Sequence, residues 1–277
     1  MASPAAVGGG VLGAGAIGVG SAYLAGAFGG LDPSEPTRVL LSRDSKFNEG
    51  YGTGDKIGKD YGDYLVAPIG ENGTGGTKTN NRDWWEWSYK RWHADSKSKS
   101  GDLSDEFKSS NQVSKAFSDI TSESDSSKAL NKVCEVVYKQ QKSTITSTGS
   151  SPDNPARLKR DLFKYCSVLG EVKTISEVSE ETYTTASTYG NLPENTKKFI
   201  AVTGNDKFWK VRNDEFYATS DIGEKNKSKA SSGSKFETEP KTNSKPSVRD
   251  ICREAYKSSS SNNTNYPSDD VNKFCTL

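Results

Sequence analysis

The chain is poor in the residues that most catalytic chemistry needs. Its 277 residues contain one histidine, His93, one methionine, at position 1, and four cysteines. A single histidine leaves almost no material for general-base or histidine–metal chemistry, and cysteines without a C-x-x-C spacing do not make a zinc site. Apolar residues are also scarce, at 32%, and mean hydropathy is −0.76; little hydrophobic material is on hand for a large core. Excess charge is missing too. With 37 basic against 36 acidic residues the net charge is +1, which gives no electrostatic footprint for nucleic acid. The Gly-rich stretch from Gly70 to Lys78 resembles a phosphate loop, but Gly75 is followed by Gly76-Thr77 where Lys-Ser/Thr is required. No catalytic residue, cofactor site or metal site is indicated, and the chain reads as non-enzymatic. The alternative enzyme class is a secreted glycan hydrolase working with carboxylates alone, since two suffice for that chemistry. The Asp and Glu residues are scattered, which counts against it.

The most informative absence is local. Residues 5–31 contain no Asp, Glu, Lys, Arg or His over 27 positions. As a helix this run would reach roughly 40 Å, against about 30 Å for a bilayer core. Ten of the 27 residues are Gly, so helix propensity is poor, but the expectation is a membrane anchor that meets the lipid bilayer. A cleaved signal competes with it: Ala25-Gly26-Ala27 resembles a cleavage site, although the basic n-region is missing. In that case the protein is secreted. Gly18, Ala22, Gly26 and Gly30 recur every four residues, a small-residue stripe through which membrane helices could pair into an oligomer. Gly13-x-Gly15-x-x-Gly18 matches a dinucleotide fingerprint only in letters, because no strand precedes it and no strand–helix alternation follows. Arg38, Arg43 and Lys46 would be held inside by the positive-inside tendency. The cysteines argue for the outside, and Asp32, Pro33, Glu35 and Pro36 separate those basic residues from the run.

Residues 32–80 are broken by Gly and Pro and read as a flexible stalk with one or two short strands from Val39-Leu40-Leu41 and Tyr64-Leu65-Val66-Ala67. Residues 81–222 form a Trp-rich helical domain. Trp84, Trp85, Trp87, Tyr89 and Trp92 crowd into its first helix, with Trp85, Tyr89 and Trp92 on one face. Aromatics of this density stack on sugars or bases, or fill a core; in a chain short of apolar residues the core is favoured. His93 reads as a solvated helix-end residue. Val113, Phe117 and Ile120 have weak helical spacing. A stronger pattern, Leu130, Val133, Cys134, Val137 and Tyr138, follows Ser124 and Asp125 as caps. Asn154-Pro155 then opens a helix with Leu158, Leu162, Tyr165, Cys166 and Leu169, and Gly170 closes it. Pro193 and Asn205-Asp206 open two more. Residues 223–246, with only Ala230 and Phe236 apolar after Glu224, read as a disordered linker.

The last segment, 247–277, repeats the cysteine hairpin. Leu130, Val133, Val137 and Tyr138 stand around Cys134 as Val248, Ile251, Ala255 and Tyr256 stand around Cys252, and Lys139 and Lys257 follow in register. Asp161-Leu162-Phe163-Lys164-Tyr165-Cys166 likewise matches Asp270-Val271-Asn272-Lys273-Phe274-Cys275. Ser247 with Asp250 caps one helix of the second hairpin and Ser268 the other. Four cysteines on apolar helix faces suit an exported disulfide framework, and of the three connectivities the repeat favours Cys134–Cys166 and Cys252–Cys275.

An uncharged Gly/Ala-rich N-terminus, a Trp-rich helix, Lys/Ser-rich polar stretches and late C-x-x-x-Y-K and D-[LV]-x-K-[YF]-C elements together resemble the large paralogous families of uncharacterised proteins from haemotropic mycoplasmas. The resemblance implies a membrane-anchored protein facing the host, without a cell wall between them. The expected fold is mainly α: an N-terminal transmembrane or signal helix (1–31), a Gly-rich stalk, and a disulfide-closed ectodomain of two tandem cysteine hairpins with disordered linkers. The expected role is a surface protein contacting host molecules or antibodies, or a structural membrane scaffold.

Overall fold

The computed structural model describes residues 35–71, 80–109, 111–120, 126–146, 153–219, 223–261 and 263–277. The uncharged run 5–31 with its stripe, and the expected caps Ser124 and Asp125, lie outside these residues. Among the described residues regular structure is helical: α1 (Phe47–Gly50), α2 (Ile57–Tyr61), α3 (Arg82–Ser98), α4 (Leu130–Tyr138), α5 (Asn154–Cys166), α6 (Pro193–Thr196), α7 (Asp206–Phe216), α8 (Lys235–Thr238), α9 (Val248–Lys257) and α10 (Ser268–Phe274). Extended segments meet only as isolated bridges.

Local chemistry explains several boundaries. Asp153 accepts the Ala156 N–H at 2.9 Å, so the cap of α5 sits one residue before the expected Asn154. Ser247 accepts the Asp250 N–H at 3.2 Å and caps α9 as expected. α10 differs: Pro267 holds its N-cap position and Ser268 is its first residue, with no side-chain cap. Gly170 does adopt φ +69°, but four residues past the end of α5, so it turns the chain toward its second half rather than closing the helix.

The cysteine hairpins are the visible part of a duplication that runs through the whole described chain. In the first half Leu40 bridges Val66, and Ala67 N–H donates to Val39 O (3.0 Å); in the second Thr174 bridges Ile200, and Ala201 N–H donates to Lys173 O (3.0 Å). Lys56 bridges Gln141 as Thr188 bridges Ser259. The Tyr138 hydroxyl donates to Val66 O (2.9 Å) and Cys166 O (3.0 Å); the Tyr256 hydroxyl donates to Ile200 O (2.8 Å) and Cys275 O (3.3 Å). Indole N–H groups of Trp85 and Trp209 donate to Ala67 O and Ala201 O at 3.2 and 2.8 Å.

Asn81 and Asn205 tie each half together in the same way. Asn81 accepts from Val39 N–H (2.8 Å) and donates to Val39 O (2.9 Å) and Ala67 O (2.8 Å). Asn205 accepts from Lys173 N–H (2.8 Å) and donates to Lys173 O (2.9 Å) and Ala201 O (2.9 Å). A Cβ at Gly58 would stand 2.9 Å from the Tyr51 ring, and one at Gly190 would stand 2.5 Å from the Tyr183 ring, so both positions need the bare backbone. The molecule is therefore two modules, residues 35–167 and 168–277, each closed by its own disulfide. Their cores merge into one hydrophobic cluster.

Two expected segments are different in kind. The described part of the stalk, 35–71, is folded: Leu41, Leu65 and Val66 are fully buried, and backbone bonds from Leu41 N–H to Leu65 O and from Val66 N–H to Cys166 O replace water. The expected linker is ordered as well. Phe236 is fully buried, 4.9 Å from the Phe274 ring and 6.5 Å from Phe216, and the strap that carries it is held where Asp270 accepts from Ser231 N–H and Oγ. One large aromatic anchors what polar composition alone would leave loose. Val113 and Phe117 are buried outside any helix, while Ile120 stays exposed.

Candidate interaction surface

Burial sorts the tryptophan cluster. Trp84 and Trp85 are fully buried and Trp92 is 2% exposed. Their indole N–H groups donate to Glu35 Oε1 (3.1 Å), Ala67 O (3.2 Å) and Phe107 O (2.8 Å), which removes the cost of burying them. These three rings are core and cannot stack on a ligand. Tyr89 and Trp87 are half-buried; Tyr89 donates to Ser114 O and stacks on the exposed His93, which lies within α3 rather than at its end. Trp87 lies at the junction between the modules, with the Arg91 guanidinium 4.5 Å and the Lys207 ammonium 4.7 Å from its ring centroid.

At that junction charged side chains of both modules converge. Glu35, whose side chain is 9% exposed, accepts from Lys207 Nζ at 2.7 Å and from Trp84, and Arg38 approaches within 3.7 Å. Beside it opens a shallow cleft of about 440 Å³ whose charged and polar lining is Arg91, Lys164, Glu171, Asn205, Asp206 and Lys207. Lys164 pairs with Asp95 at 2.8 Å, and Asp206 with Arg249 at 2.8 Å. The lining is of mixed sign and its charges are held in pairs. Asp95 is partly desolvated, which would raise its pKa, but hydrogen bonds from Lys164 and Tyr165 outweigh this and hold the carboxyl below its usual range.

Deeper in the junction, Tyr64 of the first module hydrogen-bonds Glu215 of the second, and Arg212 lies 3.4 Å from the same carboxylate. Burial pushes Glu215 up, and the nearby guanidinium only partly offsets it. Lys225 donates to Lys273 O at 2.6 Å; burial, with Arg212 next in effect, pushes its amine down to about 7. The cluster is not repeated in the first module, since Ser88 and Arg91 occupy the places in α3 that Arg212 and Glu215 occupy in α7.

The cysteines pair Cys134–Cys166 and Cys252–Cys275, with sulfurs fully buried. Among the described residues no group of three His, Cys, Asp or Glu side chains is placed to hold a metal ion. Buried carboxylates serve the frame instead: Asp161 accepts the Ser104 N–H at 2.6 Å, as Asp270 accepts from Ser231. Asp161 is raised by burial against these bonds. Among the described residues no helix is long and apolar enough to cross a membrane. Comparison with known proteins returns no matching family model, no matching curated protein and no matching solved structure.

Proposed function

We propose that this is a non-enzymatic surface protein, held to the membrane through residues 5–31, whose two-module ectodomain presents an interaction or antigenic surface to host molecules outside the cell. The observation that carries the reading is the pair of buried disulfides, one closing each module. Such bonds persist in oxidising compartments and are rare in reducing ones. The 27-residue run without Asp, Glu, Lys, Arg or His supports attachment at the N-terminal side, and the resemblance to paralogous families of haemotropic mycoplasmas agrees with it. The frame supports the interaction role. Shared residues such as Asn81 and Asn205 or Tyr138 and Tyr256 hydrogen-bond inward, whereas the exposed Val136 is matched by Glu254.

Protease shaving of intact cells tests it. The ectodomain should be cleaved from outside, leaving an N-terminal fragment that resists alkaline carbonate extraction. Full protection of the ectodomain on intact, protease-accessible cells overturns the surface assignment.

A further inference from the structure

We infer that the junction face carrying Glu35, Trp87 and the mixed-charge cleft is apposed to the membrane, against the zwitterionic headgroups of the bilayer that holds residues 5–31. The inference rests on the membrane reading of that run and adds an orientation to it. Its main support is chain length. The uncharged run stops at Leu31, and Glu35 is fixed at the module junction by Lys207, Trp84 and Arg38. Only Asp32, Pro33 and Ser34 separate them. Four Cα-to-Cα steps reach at most about 14 Å, so Glu35 stays within that distance of the end of the uncharged run, and the face around Glu35 is the one nearest the headgroups.

The chemistry of that face suits the position. Trp87 is the half-buried tryptophan of α3, flanked by Arg91 and Lys207. An indole beside long cationic side chains is the arrangement favoured at a membrane–water interface. The cleft next to it is lined by Arg91, Lys164 and Lys207 and by Glu171 and Asp206, so a phosphate and a quaternary ammonium would exchange partners with ion pairs already in place. A lining of mixed sign fits a headgroup that carries both charges better than it fits a strongly anionic surface.

The test uses the full chain reconstituted into phosphatidylcholine vesicles in which a fraction of the lipid carries a nitroxide on its headgroup. Flotation after an alkaline wash first reports insertion. A chain left at the bottom of the gradient defeats the membrane reading of residues 5–31, and this inference with it. For a chain that floats, tryptophan emission should be quenched by the nitroxide, and Trp87→Phe should remove more than half of the quenched signal, because Trp84, Trp85, Trp92 and Trp209 are buried. Phe keeps a ring between the two cations, and an unchanged far-ultraviolet spectrum checks the fold. Inserting twenty Gly/Ser residues after Pro33 lengthens the mean tether to about 27 Å, and the Trp87-dependent quenching should then fall about twofold or more. A chain that floats but shows the same quenching in Trp87→Phe, or no loss with the long tether, overturns the apposition while leaving the anchor intact.

Discussion

Replacing Asn81 by Ala tests the duplication where it can be put in numbers. The side chain is 1% exposed and makes three hydrogen bonds of 2.8–2.9 Å, to both backbone groups of Val39 and to Ala67 O. At about 1 kcal/mol net per bond, and more for the Val39 N–H left without a partner, the loss is about 3–4 kcal/mol. Asn205→Ala breaks the same three bonds to Lys173 and Ala201. Water can reach that site and soften the loss, but Asn205 sits at φ +55°, where Ala adds about 1 kcal/mol of strain. The two effects oppose each other, and both variants should lose about 3 kcal/mol. For a chain of this size that lowers the midpoint of thermal unfolding by about 6–12 °C. Urea unfolding of the non-reduced protein, followed by circular dichroism, measures both. A loss below about 1 kcal/mol in Asn81→Ala, or a large loss in one variant beside a neutral one, refutes the assignment of Asn81 and Asn205 as equivalent ties.

The tyrosine pair makes a parallel case: Tyr138→Phe and Tyr256→Phe each remove a buried hydroxyl shared by two carbonyls and should each cost about 1–2 kcal/mol in the same unfolding experiment. Cys275→Ser should free Cys252 alone to thiol reagents, leave Cys134 and Cys166 unreactive and make α10 sensitive to protease. Loop closures of 32 and 23 residues are worth about 3.7 and 3.4 kcal/mol in the chain-entropy picture. Phe236→Ala should cost about 3–5 kcal/mol and open the strap 223–246 to proteolysis; a neutral result would return that segment to a linker. Lys225 gives the pH dependence. Its amine is held near 7 when folded against its ordinary 10.5, so between those values the unfolded chain binds a proton that the folded chain does not. Stability therefore rises with pH across that window, by up to about 1.4 kcal/mol per unit. Urea titrations at pH 7.5 and 9 should show the rise in the wild type and a smaller one in Lys225→Met.

The cysteine hairpins were legible because their repeat is written in side chains. Cys134 and Cys252 share a helical register with Tyr138 and Tyr256, and pairing within each hairpin followed from that. The rest of the duplication was hidden by two physical causes. Much of the frame is made by backbone groups that any residue supplies, so Val39 and Lys173, or Leu40 and Thr174, occupy equivalent places without looking alike. Loop lengths also drift: equivalents lie 134 residues apart at Leu40 and Thr174, 124 at Asn81 and Asn205, 118 at Cys134 and Cys252, and 109 at Cys166 and Cys275. No single offset aligns the halves. The folding of residues 35–71 is hidden in the sequence for a related reason. Gly and Pro mark turns, and the short apolar runs between them are buried by pairing with residues about a hundred positions away, such as Val66 with Cys166. Core aromatics in the Trp helix could be favoured on composition, but only the carbonyl partners of the indoles decide which rings are core and leave Trp87 at the junction. The junction itself, with Glu35, Lys207, Tyr64 and Glu215 far apart in sequence, carries no local pattern.

Non-reducing peptide mapping of the protein taken from its own cells, with free thiols alkylated at the moment of lysis, tests the exported two-module account most directly. The account predicts the Cys134–Cys166 and Cys252–Cys275 linked peptides as the dominant species and essentially no alkylated cysteine. Four alkylated thiols, or a bond joining Cys134 to either Cys252 or Cys275, would contradict it.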